Sequence, residues 1–297
     1  MPITLTASEE SASGSGADVL GARNLYATLA SLKTLLGITA TTYDADLLGY
    51  LEAASRWVDA ACLRHFYVET GTRYFDGTRT DDLPLDDCMS VTSFLADSEV
   101  DGTFDGETWT EGDEEDYVLS PLNGWPKMGA MANSWGDYAF SAARRRYKVT
   151  GQWGYGDGES ATPYDASGIT VTLATTTGTT ATLSAEGTIK AGHTLLVESE
   201  QLYVAAVTSD GTKQATVTRG VNGTTAATHA AKAASVYRYP RNVQRYTVLL
   251  AGDAYNGMDE LGMESEGIGT YRYKVGKAAD RLVQESRILG PFVRYRA

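Results

Sequence analysis

The sequence has few of the residues from which metal centres and disulfide frameworks are built. It contains two cysteines and three histidines in 297 residues. The separation of Cys62 and Cys88 matches neither zinc-ligand spacing nor a disulfide framework. We therefore expect two reduced thiols, buried in the core of a protein that folds in a cytosolic compartment. The sequence indicates no metal site and no cofactor.

Long apolar runs and an excess of basic residues are missing as well. Because no run reaches about 18 apolar residues, we expect no membrane-spanning helix and no membrane partner. The formal net charge of −13 argues against a general nucleic-acid binder, since phosphate contact requires basic patches. Residues 1–20 have neither the basic start nor the apolar stretch of a signal peptide. Their Ser, Gly and acidic content predicts a disordered arm.

The charges that are present are segregated along the chain. Residues 97–116 carry ten acidic side chains and no basic one. Residues 272–297 carry seven basic side chains against two acidic ones. Such a polarity suits the stacking of a chain against charged partners.

Helical spacing of apolar residues occurs in three places. Residues 25–36 follow a helical period, and Gly37 predicts the end of that helix. A longer helix is predicted within 42–66, with Thr42 or Asp44 as its cap. After several short strands, a third helix is predicted from Pro240 to about residue 255.

The composition changes sharply between residues 165 and 239, where Thr, Ala, Val and Gly dominate and charges are few. Short alternating runs such as ITVTLA, TATLSA and QLYVAAV are separated by Gly-containing turns. This pattern is typical of a small barrel or sandwich. Because the flanking segments look incomplete without each other, we interpret the block as an inserted all-β domain.

The stretch VTRGVNGTTAATHAAKAASVYRY (Val217–Tyr239) allows two interpretations, a ligand loop or a plain hairpin. Its GVNGTT resembles a phosphate-binding loop, but no lysine follows Gly223 as that motif requires. His229 has no carboxylate or nucleophile at a suggestive spacing. Asn222–Gly223 is a common turn dipeptide between two strands. We interpret the stretch as a hairpin without catalytic chemistry.

The acidic stretch is the best place for a metal ion. Its start approaches the calcium-loop pattern, but Glu99 occupies the third position and Thr108 stands where a bidentate Glu belongs. We interpret it instead as a solvated hairpin whose charges repel anionic surfaces. Besides Glu111, its acidic residues are Asp97, Glu99, Asp101, Asp105, Glu107, Asp113, Glu114, Glu115 and Asp116.

Two further groups allow binding roles. Trp125, Trp135 and Tyr138 could stack on a sugar, although loop aromatics more often pack or lie at interfaces. The basic run Arg144–Lys148 could hold a phosphate. We interpret that run as an alternating strand, which places neighbouring side chains on opposite faces.

The order of several fragments resembles one protein family. The fragments are DADLLGYLEAASRWVDAACLRHF (44–66), DYVLSPLNGWP (116–126), YKVTGQWGYGD (147–157), VQRYTVLLAGDAYNG (243–257) and SEGIGTYRYKV (265–275). In this order they resemble the head-to-tail adaptor, or head-completion connector, proteins of tailed phages. The middle fragments GHTLLVESEQLYVAAV and VTRGVNGTTAATH resemble a small β-module of phage structural proteins.

With this resemblance the sequence predicts an α+β fold. We expect a helical adaptor core with short antiparallel strands, an inserted all-β domain (barrel or sandwich) and a C-terminal extended arm. The predicted boundaries are an arm at 1–20, a first core part at 21–164, the insert at 165–239, a core helix at 240–262 and the C-terminal arm at 263–297.

The resemblance implies a non-enzymatic virion protein at the head–tail junction, present in the host cytoplasm during assembly. Such adaptors form rings, commonly of about twelve subunits. They dock on the portal protein, contact a tail-side connector or stopper protein, and let phage DNA pass without sequence-specific binding. The acidic residues named above are expected to line the channel or a ring contact.

The basic, aromatic C-terminal arm is the expected docking segment, because aromatic and Arg side chains are enriched at interfaces. Removal of Ile288–Ala297 is then expected to abolish docking on the portal without unfolding the protein. The expected docking residues are Tyr271, Arg272, Tyr273, Arg287, Ile288, Leu289, Phe292, Arg294, Tyr295 and Arg296.

Two alternatives stay open. The inserted domain could bind host carbohydrate through Trp125, Trp135 or its own loops, as in a virion-surface module. The chain could also be a cell-wall hydrolase that uses acidic carboxylates such as Asp101 and Asp105.

Overall fold

Strands make up most of the structured chain in the computed structural model. The structure describes residues 23–104, 107–133, 140–208, 211–256, 265–268, 271–274 and 287–294. Strands far outnumber the three α-helices in these residues. The predicted N-terminal arm, residues 1–20, lies outside the described residues.

Six strands form a curled antiparallel sheet: β1 (Glu69–Phe75), β2 (Asp82–Ala96), β3 (Glu107–Thr108), β4 (Tyr117–Ser120), β5 (Lys127–Ala132) and β6 (Tyr147–Trp153). Their order is β1-β6-β2-β5-β4, and β3 pairs with the end of β2. The long β2 pairs with β5 through its first half and with β6 through its second half, and register shifts let it bend between the two. The sheet curls over aromatic side chains such as Phe94, Tyr147 and Trp153, which are at most 1% exposed.

The next six strands close into a barrel: β7 (Tyr164–Leu173), β8 (Thr180–Leu183), β9 (Thr194–Val197), β10 (Glu200–Val207), β11 (Gln214–Thr218) and β12 (His229–Tyr237). The circular order is β9-β10-β11-β8-β7-β12. Aliphatic side chains fill its interior, among them the fully buried Val171, Val197 and Leu202. The segment 165–239, which we predicted as a barrel or sandwich, therefore holds a closed barrel with no open strand edge.

Three helices pack beside the barrel: α1 (Leu29–Leu36), α2 (Asp44–Cys62) and α3 (Arg241–Asn256). Of these, α2 and α3 also pack in a cluster that contains Met89 of β2. The predicted end of α1 at Gly37 is confirmed, since Gly37 is the left-handed C-cap. Ring contacts pair Tyr50 with Tyr255 and Trp57 with Tyr246, so α2 and α3 run antiparallel. None of the helices in the described part of the chain is long and apolar enough to cross a membrane.

The end of the described chain contains a separate hairpin and a helical turn. The hairpin consists of β13 (Ser265–Ile268) and β14 (Tyr271–Lys274), paired antiparallel. Residues 287–292 form a helical turn that ends in the 3-10 segment Gly290–Phe292. This turn packs against the core, whereas the sequence predicted an extended arm there.

The prediction of a helical adaptor core is wrong, because the fold is mostly β and the helices form one layer beside the sheet and the barrel. The sequence favoured helices because their period is regular, whereas the long β2 lacks a clean alternation. Cys88 and Met89 are consecutive and both buried, at the place where β2 changes partner strands. A bulged strand of this kind has a weak period-2 signal.

The turn that joins β11 to β12 fixes the barrel to the sheet. The backbone N–H of Thr70 donates to the carbonyl oxygen of Asn222 at 2.8 Å. The side-chain amides of Asn222 and Asn24 each donate to the oxygen of the other, at 2.9 and 2.7 Å. The Asn222 amide also donates to Gln201 Oε1 at 2.7 Å. Gln201 Nε2 in turn donates to the carbonyl of Val68 at 2.9 Å. The Asn222–Gly223 turn is therefore an interface element and not a free loop.

A second attachment joins the segments that enter and leave the barrel. Arg238 follows β12 and forms ion pairs with Asp157, before the first barrel strand, and with Asp165 at 3.0 Å. Its backbone N–H donates to the carbonyl of Pro163 at 2.8 Å. Because the barrel is held here and at the Asn222–Gly223 turn, it is oriented by two separate contacts.

Replacing Gly223 with Ala tests the docking of the turn. A Cβ there would lie 2.1 Å from the carbonyl oxygen of Thr70, at a φ of +77°. Gly168 has a φ of +72° but nothing within 4 Å of its Cβ position, so Gly168→Ala carries only the backbone cost of roughly 1 kcal/mol. We expect Gly223→Ala to lower the free energy of unfolding by about 2 kcal/mol more than Gly168→Ala does, as measured by urea denaturation. Equal losses of stability in the two variants would contradict the close docking of the turn.

Candidate functional site

A buried cluster of charged side chains holds the loop between β11 and β12. Glu200 is 0% exposed and accepts two hydrogen bonds from Arg219, at 2.7 Å from Nε and 2.8 Å from Nη2. The ring nitrogens of His229 lie between two carboxylates. Nε2 is 2.8 Å from Glu200 and Nδ1 is 3.0 Å from Glu198. At the rim of the barrel, Glu198 also pairs with Lys232 at 2.6 Å.

The carboxylate of Glu200 also binds the backbone at both ends of this loop. The N–H groups of Gly220 and Ala227 donate to its two oxygens at 3.0 Å each. Burial by itself would raise the pKa of Glu200, but the hydrogen bonds that it accepts, beginning with those from Arg219, outweigh burial and lower the pKa to about 2. A carboxylate that stays ionised, with both oxygens occupied, is unsuited to exchanging protons with a substrate. The cluster acts as a clamp on the loop.

The variant Glu200→Gln tests the clamp. Loss of the charge leaves the buried Arg219 guanidinium without its counter-charge, which costs about 3–5 kcal/mol in comparable pairs. Glu198→Gln is the matched control, because the Glu198 side chain is 45% exposed and its ion pairs contribute less than about 1 kcal/mol. Chemical denaturation at neutral pH measures both. A similar loss for the two variants would contradict a clamp centred on Glu200.

The first part of the acidic stretch binds its own turn. Asp97 is 4% exposed and accepts the N–H groups of Asp101 at 3.2 Å and Gly102 at 2.8 Å. Asp101 accepts both the backbone N–H and the hydroxyl of Thr103, at 2.8 and 2.5 Å. Within the described residues, no group of three or more His, Cys, Asp or Glu side chains is placed to hold a metal ion. Asp97 and Asp101 are therefore turn-forming residues in this structure.

The rest of the acidic stretch is distributed over the surface. Asp116 Oδ2 accepts the N–H of Thr110 at 2.7 Å and so closes the loop between β3 and β4. The exposed members are Glu99, Glu111, Asp113, Glu114, Glu115 and Asp116. Asp105 and the side chain of Glu107 lie outside the described residues.

Of the basic run Arg144–Lys148, only Tyr147 and Lys148 lie in a strand, so the prediction of an alternating strand is wrong for Arg144–Arg146. β6 begins only at Tyr147, and Arg145 has a φ of +50°, which breaks the extended backbone. The N–H of Arg145 donates to Asp76 Oδ1 at 2.7 Å, and its guanidinium lies 4.4 Å from the ring centroid of Tyr74. This contact occupies Arg145, the second residue of the run.

The aromatic residues proposed for sugar stacking are not brought together in the described structure. Trp125 is half-buried against the cluster that joins α2 and α3. Lys127 Nζ lies 4.4 Å from its ring centroid, so the chain's own lysine covers that face. Trp135 and Tyr138 lie outside the described residues.

Several predicted docking residues contact the chain's own core. Leu289 is 1% exposed. Phe292 packs edge-on against Phe66, with ring centroids 5.8 Å apart. Arg294 Nη1 lies 3.0 Å from Asp86 Oδ1. These three side chains are engaged within the chain, so docking through them would require the segment to leave the core.

The other predicted docking residues differ in position. Ile288 is partly buried beside Leu289, and Arg287 is exposed. Tyr271, Arg272 and Tyr273 lie in β14. Tyr295 and Arg296 lie outside the described residues.

The variant Leu289→Ala tests the contact between the C-terminal turn and the core. We expect it to lower the free energy of unfolding by about 2–5 kcal/mol, because it removes a fully buried side chain. The control is the exposed neighbour Arg287→Ala, which should change stability by less than about 0.5 kcal/mol. By the same reasoning, removal of Ile288–Ala297 should destabilise the fold, contrary to our sequence-based expectation. Equal stability of both point variants would contradict the packing.

Sequence reasoning missed the residues that hold the barrel in place. Glu200 and Arg219 are charged positions in a block with few charges, and that contrast was the available signal for a buried pair. The partners of Asn222, namely Asn24 and Gln201, carry no local signal. They meet it only through the tertiary fold, which a period or a motif does not encode.

The described chain thus offers a buried clamp, which orients the barrel, and exposed surfaces that can receive partners. The clamp does not have the open, proton-exchanging groups of a catalytic centre. No protein-family model, curated protein or solved structure matches this chain.

Proposed function

We propose that this chain is a structural, non-enzymatic part of a phage particle, a ring-forming head-to-tail adaptor. In this proposal it docks on the portal, meets a connector or stopper on the tail side, and extends the DNA channel at the head–tail junction. The sequence resemblance supports the family. The hairpin β13–β14 is the observation that carries the assembly role.

Each strand of the hairpin has one edge that pairs with no other described strand. It runs in register from Ser265 opposite Lys274 to Ile268 opposite Tyr271. Neither strand pairs with any other strand among the residues that the structure describes. An isolated two-stranded hairpin is marginally stable in water, and its open edges are templates for pairing with another chain. A neighbouring subunit can supply the missing strand or surface.

Both ends of the segment that carries the hairpin are fixed to the core. On one side α3 packs along α2 through the pairs Tyr50–Tyr255 and Trp57–Tyr246. On the other side Leu289 is buried, and the N–H of Arg294 donates to the carbonyl of Cys62 at 2.9 Å. The hairpin therefore belongs to a segment that is anchored on the core at both ends.

The charge balance is compatible with a DNA channel. DNA passing through a lumen must not be gripped, and phosphate binding depends on clustered basic groups. The net charge of −13 favours a wall that repels the polyanion. This supports passage of DNA without sequence-specific contact.

The two alternatives gain less from the geometry. Aliphatic side chains occupy the barrel interior, so a sugar would have to bind on its outer loops. For the hydrolase, Asp101 would have to donate a proton. Its hydrogen bonds from Thr103 lower the pKa of that carboxyl, which is the wrong direction for a general acid at neutral pH.

Replacing residues 265–274 with a Gly/Ser linker of equal length tests the proposal. We expect the wild-type protein to form rings and the linker variant to sediment as a single copy with an unchanged melting temperature, because the fixed ends of the segment remain. Sedimentation velocity and negative-stain microscopy measure the assembly. The control is a Gly/Ser replacement of the exposed barrel turn 185–188, which should leave rings intact. Rings formed by the hairpin variant would contradict the proposed role of β13–β14.

A further inference from the structure

A groove between α1 and α3 has an apolar floor and a basic rim. Its volume is about 580 Å³. Leu35, Val248 and Leu249 contribute apolar surface, and Leu35 is 49% exposed. Arg241 and Arg245 lie on the α3 side. Such a combination suits a partner segment that presents carboxylates above a small apolar contact.

The positions of the two arginines destabilise the isolated subunit. Arg241 and Arg245 are both exposed and four residues apart on α3, so the like charges are neighbours on one helix face. They also lie in the first turns of the helix, where the helix dipole disfavours cations and where α3 has no acidic residue. Neither forms an ion pair with another described residue. A bound anionic partner would remove both penalties.

The same chain carries a rigid acidic loop of complementary charge. Two hydrogen bonds between Asp116 and Thr110 close the loop between β3 and β4. The backbone N–H of Thr110 donates to Asp116 Oδ2 at 2.7 Å, and the N–H of Asp116 donates to the carbonyl of Thr110 at 3.1 Å. The amide of Asn133 bonds the carbonyls of Gly112 and Glu115 at 2.6 and 3.1 Å. A loop held this firmly loses little conformational freedom on binding.

The exposed tip of that loop presents its carboxylates to solvent. Asp113, Glu114 and Glu115 are exposed, and none of them forms an ion pair with another described residue. The groove and the loop lie on different elements, the helix layer and the edge of the curled sheet. Two different complementary surfaces on one chain produce a head-to-tail contact, and such a contact closes into a ring when the rotation permits.

We propose that the acidic loop 111–116 of one subunit docks in the α1–α3 groove of the next subunit. This inference rests on the proposed ring function and names one of its contacts. Asp113 and Glu114 pair with Arg241 and Arg245, and the docked loop covers Leu35. The contact adds charge complementarity to the strand edges offered by β13–β14, and it fixes the direction of the ring.

DNA is the competing occupant of a basic rim. Two arginines are few for a phosphate-binding surface, and the apolar floor at Leu35 has no counterpart in backbone recognition of DNA. An acidic peptide loop uses both the floor and the rim. The docked second copy is therefore the better fit.

Charge reversal on each side tests this contact. The groove variant is Arg241→Glu with Arg245→Glu, and the loop variant is Asp113→Lys with Glu114→Lys. Because each reversal turns attraction into repulsion, each variant alone should weaken ring formation by at least about ten-fold. Sedimentation velocity over a concentration series measures this, and added salt should weaken the wild-type ring. Arg144→Glu, which reverses an exposed charge elsewhere, is the control and should assemble normally.

Mixing the two variants gives the decisive result. In an alternating ring the reversed groove meets the reversed loop, and the native groove meets the native loop, so the mixture should assemble. One chain that carries all four substitutions should assemble as well. Failure of both, with each variant still folded by circular dichroism, would overturn the inference.

The outcomes separate this inference from the proposed function. Wild-type rings that persist in the groove variant would overturn the α1–α3 contact while leaving the adaptor function intact. Loss of DNA binding by the groove variant, with rings unchanged, would identify DNA as the occupant and overturn the inference too. Wild-type protein that stays single at all concentrations, alone and with its portal, would overturn both.

Discussion

The structure depends on one partly buried contact, in which the Asn222–Gly223 turn of the barrel lies against β1 of the sheet. The backbone bond from Thr70 to Asn222 and the amide contacts with Asn24 and Gln201 leave little freedom at this junction. The closed barrel has no edge strand that could extend the sheet, so side-chain and turn contacts orient it, together with the Arg238 attachment and the packing on the helices. The turn instead makes the barrel, the helix layer and the sheet one oriented body, on which every exposed surface has a fixed direction.

The buried charges of the barrel serve the same contact. Glu200 holds Arg219 and Gly220 at the start of the β11–β12 loop, and Ala227 and His229 at its end. The docked turn lies between these two fixed ends. An ionised carboxylate inside a barrel is costly unless all its bonds are satisfied, and here the loop itself satisfies them. The cluster that most resembles catalytic chemistry in composition is thus the support of an interface.

Features of the fold that depend on neighbouring residues could be predicted from the sequence, whereas few contacts between residues far apart in the chain could be. Helical period and Gly37 predicted α1, and the Asn-Gly dipeptide predicted a turn, because both depend on neighbouring residues. The barrel segment had regular short strands with turn signals. The curled sheet was underestimated because β2 bends and bulges, which removes its alternation. Other contacts join residues that are far apart in the chain, and no local pattern encodes such pairs. They include the contacts of Leu289 and Arg294 with the core and those of Glu200 and Asn222 with their partners.

We propose that this oriented body is a subunit of a ring at the head–tail junction. Cryo-electron microscopy of the purified protein, alone and with a candidate portal protein, tests this proposal most directly. The account predicts closed rings in which the barrel has the same orientation relative to the sheet in every subunit. Single copies that never join one another or the portal would contradict it.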